Sequence, residues 1–394
     1  MPLLKGYLYS KPGSCNLCSG FGINYKVTLS RPLKILLAPL DWGLGHATRC
    51  IPVIRYLLER ECEVTIAAEG AVAVLLRSNF PGLTILPIEG YRVVYGDSSG
   101  TFVLKILMQI PKILKAIRSE RKWLAKVQND KKFDLVISDN RYGLKIKGVP
   151  SVIMTHQLQI KSGAGRLVDR LLRLVHYRIL ARFDECWVVD HRDEGSIGGE
   201  LSHPEKIPAN ARYIGLLSQL SPDPPRSKPT KGGVLVLLSG PEPQRSLLEQ
   251  KILSQVSSNS PYQYTIVCGN PGGSVPDNVS PGIDYYTHLN AFELQEFFAK
   301  AEIIVCRSGY STLMDLAVMG KRALLIPTPG QSEQEYLAKY LTEQGLFFCS
   351  KQSSLALERD IALALERSGF ADSVDHFHHH TMKEAVDAMQ EKLA

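Results

Sequence analysis

Short apolar runs alternate along the chain with longer stretches in which apolar residues recur every three or four positions. Such runs are typical of strands buried on both faces of a parallel sheet, and such stretches are typical of helices that pack on it. In the first half, the predicted strands are 33–41, 62–69, 83–89, 133–139, 149–157, 186–190 and 211–216. The predicted helices are 47–61, 101–130 and 166–183. This alternation predicts an α/β fold with a doubly wound sheet.

A second series of the same kind follows a segment rich in proline, serine and lysine. Residues 217–232 have the composition of a linker. The apolar runs then resume at 233–240, 264–270, 301–306 and 323–327. The pattern predicts an N-terminal Rossmann-like domain at 33–216 and a C-terminal one at 233–394. Residues 1–32 fit neither series, and a disordered extension or a misplaced start codon would account for them.

Length and composition are those of a soluble protein with two domains. A chain of 394 residues can bury two full cores, and its 44% apolar and 22% charged residues are ordinary values. No stretch approaches the roughly 18 consecutive apolar residues of a membrane span. The first residues lack the apolar core of a signal peptide. We therefore expect a cytoplasmic protein.

Cysteine and histidine groupings do not predict a metal site. The eight cysteines are scattered, and Cys15 and Cys18 form a CxxC pair without a second pair nearby. A structural zinc site needs four ligands, so this pair alone does not predict one. Four histidines at 376 and 378–380 lack a neighbouring carboxylate, and a solvated stretch is the simpler interpretation. The sequence predicts neither a metal nor a cofactor.

The positive charge is concentrated in one part of the chain. Residues 101–182 hold 18 Lys or Arg against five Asp or Glu, whereas the whole chain has a net charge of +7. The remainder is therefore negative. Amphipathic basic helices at 105–126 and 166–182 favour contact with an anionic membrane surface, although helices with solvated basic faces are the alternative. The sequence contains no nucleic-acid-binding module.

The segment 307–336, RSGYSTLMDLAVMGKRALLIPTPGQSEQEY, has the pattern of a ligand-binding βαβ unit. Ser308 and Gly309 form a small polar turn between a predicted strand and a helix, where backbone N–H groups and the helix dipole suit a diphosphate. Asp315 lies further along that helix, where a carboxylate can accept hydrogen bonds from a ribose. Gln334 and Glu335 follow the next strand at the same edge of the sheet. An ordinary crossover with a capped helix would have the same spacing.

The first strand also ends in a glycine loop, DWGLGH, that contains His46. A histidine at a strand end can remove a proton from an attacking hydroxyl, or it can simply bond to the following helix. Gly43 and Gly45 allow an acceptor or a diphosphate to approach the backbone closely. Asp41 precedes this loop and can orient His46, although an ordinary carboxylate at a strand end explains it equally well. The glycine spacing differs from GxGxxG, so a dinucleotide is not predicted.

Together these motifs resemble the GT-B glycosyltransferases of family 28, the MurG type. The similar segments are RSG-x-S/T-x-x-D/E followed by a glutamine-rich loop, the loop ending in His46, GVPSVIMTHQ at 148–157, and LLSG at 237–240. They occur in the family's order over residues 33–345. Two departures lie in the donor segment, where Asp315 and Glu335 stand in place of Glu and Gln. A third is Gln157, where the family has Glu.

The resemblance implies roles for individual residues. It makes His46 the catalytic base of an inverting, metal-independent displacement, and the position of Asp41 before the loop makes this residue the candidate partner of His46. The implied acceptor side comprises Gly43, Gly45, Asp139 and His156. The implied donor side comprises Ser239, Gly240, Arg307, Ser308, Gly309, Ser311, Thr312, Asp315, Gln331, Gln334 and Glu335. From the residues alone, His156 at a strand end is equally well explained as a buried structural histidine.

The predicted function is therefore transfer of a sugar from a nucleotide-sugar donor, with UDP as the expected nucleotide, to a hydroxyl of a lipid or saccharide. A nucleotide-sugar hydrolase is an alternative, because GLGHATRC also resembles the GSGHVMRC loop of such an enzyme, with His46, Arg49 and Cys50 matching. A non-catalytic subunit of the same fold is a second alternative. Chain length and the basic region favour the transferase.

Overall fold

The computed structural model describes residues 31–91, 99–161, 165–193, 196–221, 229–270, 272–370 and 380–393, with side chains in the long third helix from residue 111 onward. The predicted extension lies almost wholly outside these residues, together with Cys15, Cys18 and the histidines at 376, 378 and 379. No described helix is long and apolar enough to cross a membrane.

Seven parallel strands form the first sheet. They are β1 (Lys34–Pro39), β2 (Glu63–Ala67), β3 (Thr84–Leu86), β4 (Leu135–Asp139), β5 (Ser151–Thr155), β6 (Glu185–Val188) and β7 (Ala211–Tyr213). Their order across the sheet is β3-β2-β1-β4-β5-β6-β7. The sequence order reverses between β1 and β4, and open α/β sheets hold ligands at such a switch point.

The helices of this half cover both faces of the sheet. They are α1 (Leu44–Glu59), α2 (Gly70–Asn79), α3 (Ser99–Lys131) and α4 (Arg166–Leu180), with a short 3-10 turn at Gly199–Leu201. Helix α1 buries Ala47, Cys50, Ile51, Ile54 and Leu57, the three-to-four spacing that its sequence predicted. The apolar strands β4 and β5 are buried along their whole length.

Six parallel strands form the second sheet. They are β8 (Gly233–Leu237), β9 (Gln263–Val267), β10 (Asp284–Tyr286), β11 (Ile303–Cys306), β12 (Arg322–Leu325) and β13 (Phe348–Cys349), in the order β10-β9-β8-β11-β12-β13. The helices are α5 (Gln244–Leu253), α6 (Ala291–Lys300), α7 (Tyr310–Val318), α8 (Ser332–Glu343), α9 (Leu357–Leu365) and α10 (His380–Leu393), with a 3-10 turn at Gln352–Ser354. Two doubly wound sheets confirm the predicted fold class. The short strands β10 and β13 were not predicted.

The last helix packs on the first half of the chain rather than on the second. Tyr56 of α1 donates a hydrogen bond to Asp387 at 2.8 Å, and Lys392 pairs with Glu185 of β6. Apolar side chains of α10, including Met382 and Met389, join the core cluster that contains α1. Helix α10 thus follows the second domain in sequence but contacts the first.

The two domains meet along α1 and α7. Their apolar residues belong to one continuous core cluster, which includes Leu313 and Met314 of α7 together with Ile51 of α1. The hydroxyl of Tyr310 donates to the carbonyl of Val189 at 2.7 Å across this contact. The contact therefore holds the loops at the carboxyl ends of the two sheets close to one another.

Candidate active site

Strand register in the first sheet brings three polar side chains together. Pro39 of β1 pairs with Asp139 of β4, and Asp139 pairs with Met154 of β5. Adjacent parallel strands therefore end side by side, which juxtaposes the loop containing His46, the carboxylate of Asp139 and the imidazole of His156. With Arg49 from α1, these residues form what we call the histidine cluster.

Asp139 is the buried anion of the histidine cluster. It accepts hydrogen bonds from Arg49 Nε at 2.9 Å and from Arg49 Nη2, and its Oδ2 lies 2.9 Å from His46 Nδ1. Its side chain is completely buried. Burial alone would raise the pKa of this carboxyl, but the charges of Arg49 and His46 outweigh burial and lower it to about 2. Asp139 is therefore ionised at neutral pH.

His46 lies at the edge of the cluster, with its side chain 13% exposed. Burial and the neighbouring charge of Arg49 lower the pKa of its imidazole, although Asp139 opposes the shift. The imidazole is therefore neutral at pH 7. Its Nδ1 is also 2.8 Å from Arg49 Nη2. Arg49 donates two hydrogen bonds to Asp139 whichever nitrogen of His46 carries the proton. An unprotonated Nδ1 of His46 would place its lone pair against the carboxylate of Asp139, so the proton is favoured on Nδ1.

The carboxylate beside His46 Nδ1 is that of Asp139, whereas the sequence had suggested Asp41 for this role. Asp41 accepts a hydrogen bond from the backbone N–H of Tyr91 at 3.1 Å. It also lines a cavity of about 400 Å³ with Gly43, Leu44 and Glu69. This cavity opens beside the loop that carries His46, on the side where an acceptor was predicted.

The glycines of the same loop serve two different purposes. Gly43 precedes α1 with a φ of 93°, a conformation that favours glycine. At Gly45, a Cβ atom would lie only 2.7 Å from the hydroxyl of Ser311. That hydroxyl donates to the carbonyl of Gly45 at 2.9 Å. The predicted acceptor loop and the predicted donor helix are therefore in direct contact.

His156 links the histidine cluster to the second domain. Its Nδ1 lies 2.8 Å from Arg49 Nη1, and its Nε2 lies 2.9 Å from Glu333 Oε1 of α8. The ring stacks on Tyr310 of α7, with centroids 4.2 Å apart. His156 is buried, and its contacts with Glu333 and Tyr310 lie between the two domains. The two interpretations that the sequence left open are thus compatible.

The predicted donor residues converge at the carboxyl ends of β8, β11 and β12. Leu237, Cys306 and Leu325 end these neighbouring strands in register, so the turns that follow them are adjacent. Ser239 and Gly240 form an exposed turn after β8. Residues 307–312, which we call the donor turn, follow β11. Gln331, Gln334 and Glu335 lie in and after the loop that follows β12.

Hydrogen bonds fix the shape of the donor turn. Arg307 is buried and donates to the carbonyls of Ile326, Pro327 and Gln244. Ser308 donates to the carbonyl of Gln334 at 2.8 Å, and the Gln334 side chain accepts from Thr328 N–H at 2.9 Å. Glu335 accepts from Gly330 N–H at 3.0 Å. Gly309 is the N-cap of α7 and provides no side-chain cap, and Thr312 is half-buried in the first turn.

Several polar atoms around the donor turn are buried without a hydrogen-bond partner among the described residues. They are Arg307 Nε, Thr328 Oγ1 and Gln331 Oε1. A Cβ atom at Gly240 would lie 3.5 Å from Thr328 Oγ1, so this hydroxyl faces the turn after β8. Buried polar groups are normally paired, and unpaired groups at one sheet edge are available to a polar ligand.

Asp315 occupies a more enclosed position than the sequence suggested. Its Oδ1 accepts a hydrogen bond from Ser218 Oγ at 2.5 Å. Burial raises the pKa of this carboxyl to about 7, against hydrogen bonds from Ser218 and Gln219. In this structure Asp315 therefore contacts the start of the segment 217–232, where the sequence had predicted a ribose.

Three residues of the site were not among the predicted site residues. Arg49 entered the sequence analysis only through the hydrolase resemblance, yet it lies at the centre of the histidine cluster. Glu333 lies between predicted donor residues, at the start of a helix that follows a strand end. That position could have marked Glu333 as a candidate site residue from the sequence alone. Tyr310 reads as an ordinary apolar helix residue, and its stacking depends on the placement of the two domains.

Comparison with known proteins identifies the C-terminal half most directly. Residues 242–387 match the glycosyltransferase family 28 C-terminal domain. A glycosyltransferase of unassigned specificity from Methanosarcina acetivorans is 23% identical over 337 residues, covering 79% of this chain and 84% of that protein. A UDP-N-acetylglucosamine--N-acetylmuramyl-(pentapeptide) pyrophosphoryl-undecaprenol N-acetylglucosamine transferase from Histophilus somni is 25% identical over 352 residues, covering 84% of this chain and 88% of the relative.

Solved structures agree on the fold. The glycotransferase of kitacinnamycin superposes with a TM-score of 0.64 at 15% identity, over 92% of this chain and all of that one. MurG of Acinetobacter baumannii superposes with a TM-score of 0.55 at 17% identity, over 91% of this chain and all of that one. Two Rossmann-like sheets, a C-terminal domain that matches family 28, and relatives that align over most of their length support one conclusion: the chain is a glycosyltransferase of the hexosyltransferase type with the GT-B fold, and it is similar to the enzymes of family 28.

Proposed function

We propose that this enzyme transfers a sugar from a UDP-linked donor to a hydroxyl group of a lipid or saccharide, without a metal and with inversion at the anomeric carbon. One observation carries the proposal. The neutral imidazole of His46, paired with Asp139, lies in the first turn of α1, and this turn contacts the donor helix α7 through Gly45 and Ser311. A base and a nucleotide-binding turn are thus adjacent at the interdomain contact.

In the proposed reaction, His46 Nε2 takes the proton of the acceptor hydroxyl as its oxygen attacks the anomeric carbon. The new bond forms as the bond between that carbon and the diphosphate oxygen breaks, and the electron pair leaves with UDP. Asp139 holds the proton on Nδ1 and stabilises the imidazolium that results. The N–H groups at the start of α7 receive the charge that develops on the diphosphate.

The relatives support the choice of donor and acceptor classes. The Histophilus somni relative is named for a UDP-N-acetylglucosamine donor and a pyrophosphoryl-undecaprenol acceptor. The unpaired polar atoms at Thr328 and Gln331 suit a polar nucleotide. We extend UDP and a lipid or saccharide acceptor to this chain on these grounds, with the predicted donor and acceptor residues in their predicted roles.

The test is nucleotide release from a panel of UDP-, GDP- and TDP-sugars, with and without a lipid extract. We expect UDP to appear only when an acceptor is present, and His46→Ala to reduce the rate about 10²–10⁴-fold. His380→Ala, an exposed histidine of α10, is the matched control. Rapid release of free sugar and UDP without acceptor would favour the hydrolase. Release that is unchanged in His46→Ala would contradict the proposed base, and no release from any donor would favour a non-catalytic subunit.

We further propose that an anionic membrane surface presents the acceptor, with the enzyme bound to the cytoplasmic face through α4. The outward face of α4 combines arginines with apolar residues: Arg166, Leu167, Arg170, Leu171, Leu174, Val175 and Arg178 are all exposed. Leu167 is 83% exposed and Leu171 is 63% exposed. Leucines that insert among the lipids and arginines that reach the headgroups are the features of an interfacial helix.

The basic part of α3 supplies further exposed cations. Lys112, Lys115, Arg118, Arg121, Lys122 and Lys126 are exposed, whereas the side chain of Lys105 lies outside the described residues. Each cation near an anionic bilayer contributes about 1 kcal/mol. Vesicles of phosphatidylcholine, with or without phosphatidylglycerol, test the proposal by co-sedimentation. We expect binding only with phosphatidylglycerol, and its loss in a Leu167→Ser, Leu171→Ser double variant. Phe292→Ser, which changes a 70% exposed residue of α6, should bind normally.

A further inference from the structure

Glu333 reaches from the second domain into the histidine cluster of the first. It lies in the first turn of α8, and its side chain is 32% exposed. One carboxylate oxygen is 2.9 Å from His156 Nε2, and the other accepts a hydrogen bond from Gln157 Nε2. Burial would raise the pKa of Glu333, but the adjacent His156 and the charges beyond it keep this pKa below its usual value. Glu333 is therefore anionic.

The hydrogen bonds that link Glu333 to Asp139 have one consistent assignment of donors and acceptors, in which Arg49 donates toward both ends. A guanidinium only donates and a carboxylate only accepts. Arg49 Nη1 therefore donates to His156 Nδ1, and His156 Nε2–H donates to Glu333. The other nitrogens of Arg49 donate to Asp139, which contacts His46. Glu333 thus selects the His156 tautomer that can accept from Arg49, and this bond orients the guanidinium against Asp139.

The carboxylate beside His156 comes from the second domain and not from the residue that follows the histidine. The motif around His156 resembles a triplet in which Glu follows the histidine, but this chain has Gln157. The side-chain amide of Gln157 donates to Glu333, so the negative charge beside the histidine comes from the opposite domain. It is present only while the two domains are in contact. Tyr310, which stacks on His156, depends on the same contact.

We propose that Glu333 is a positioning residue for the catalytic base, and that it makes the His46–Asp139 pair competent only when the domains are closed. Closure sets the His156 tautomer, the tautomer orients Arg49, and Arg49 holds Asp139 against His46. Separation of the domains withdraws Glu333 and leaves Arg49 free to turn away from Asp139. This inference rests on the proposed role of His46 as the base.

Steady-state kinetics of Glu333→Gln test the inference, with Glu343→Gln as the control. Glu343 is an exposed residue at the other end of α8. We expect Glu333→Gln to reduce kcat about 10²-fold, because small misplacements of a base have effects of this size. The KM for the donor should stay within about twofold. Glu333→Asp should restore part of kcat. A rate within about twofold of the wild type would overturn the inference.

A double variant shows whether Glu333 affects catalysis through His46 or independently of it. If Glu333 acts through His46, then His46→Ala combined with Glu333→Gln should be no slower than His46→Ala alone. Multiplication of the two losses would show that Glu333 acts elsewhere, and would contradict the inference.

Imidazole ¹⁵N spectra of the free protein need no substrate. The wild type should show His156 protonated at Nε2 and unprotonated at Nδ1, and Glu333→Ala should shift both signals and those of His46. Glu343→Gln should shift neither. The opposite His156 tautomer in the wild type, or His46 signals that do not respond to Glu333→Ala, would refute the inference. If no sugar transfer is detected at all while these spectra agree with expectation, then the proposed function fails and the hydrogen-bond chain stands.

Discussion

The histidine cluster and the donor turn differ in how their polar groups are satisfied. In the cluster, Arg49, Asp139 and His156 are buried and already paired with one another. Around the donor turn, backbone contacts fix the shape, while Thr328 and Gln331 keep buried polar atoms without partners among the described residues. This difference is what the proposed function requires, because a base must be organised before substrate binds, whereas a nucleotide can supply the missing partners at the donor turn.

This comparison also applies to two buried carboxylates. Asp139 has a guanidinium beside it, and the charges around it lower its pKa to about 2. Asp315 has hydroxyl and amide partners instead, and burial raises its pKa to about 7. A cation therefore determines whether a buried acid stays charged.

Asp139→Asn should have the largest effect. It removes the charge that holds Arg49 and His46, so we expect a loss of activity of about 10²–10⁴-fold. The unpaired guanidinium should also lower the free energy of unfolding by about 3–5 kcal/mol. Asp134→Asn is the control, because Asp134 pairs with the exposed Arg31 just before the same strand. Its cost should be about 1 kcal/mol or less. Urea unfolding and rate measurements check both variants, and equal costs would contradict the contrast.

Gly45→Ala should separate the two regions without changing their chemistry. The added methyl would lie 2.7 Å from Ser311 Oγ, so the acceptor loop and the donor helix must move apart. We expect kcat to fall about 10–10²-fold with little loss of stability. Adding Ser311→Ala removes the hydroxyl and should restore part of the rate. If the added Ser311→Ala makes the enzyme slower still, then the hydrogen bond from Ser311 to the Gly45 carbonyl supports activity, and the spacing between the two elements does not limit it.

Thr328→Val should weaken donor binding without harm to the free protein. The substitution keeps the shape but removes a buried hydroxyl that has no partner among the described residues. Stability should stay unchanged or increase slightly, because no hydrogen bond is lost in the free state. If the hydroxyl bonds to the nucleotide, the donor KM should rise about tenfold, which corresponds to about 1.4 kcal/mol. An unchanged donor KM would show that the nucleotide does not reach Thr328.

The sequence predicted the strands, helices and loops of the site, but not which residues of these elements contact one another. Apolar runs and glycine turns mark where β1 and β11 end, so His46 and Ser308 could be placed at the sheet edges. The choice of Asp139 over Asp41 depends on the pairing of β1 with β4, about a hundred residues away in sequence. The contact between Glu333 and His156 depends on how two domains pack. The local pattern of apolar and polar residues predicts neither contact, because each joins residues far apart in the sequence.

Asp315→Asn should change the pH dependence of stability. The folded-state pKa of Asp315 is raised from 3.8 to about 7. Between these values the folded protein holds a proton that the unfolded chain has released, so stability from this group is greatest below about pH 4 and is lost as the pH rises to about 7. Asparagine carries no charge, and its Oδ1 can still accept from Ser218. We therefore expect the variant to melt near the wild type at pH 5 and on the order of 3 °C above it at pH 8. A constant difference at both pH values would contradict the raised pKa. A large increase in the donor KM of the same variant would show that Asp315 leaves Ser218 to bind a ribose, and the enclosed position would then belong only to the free enzyme.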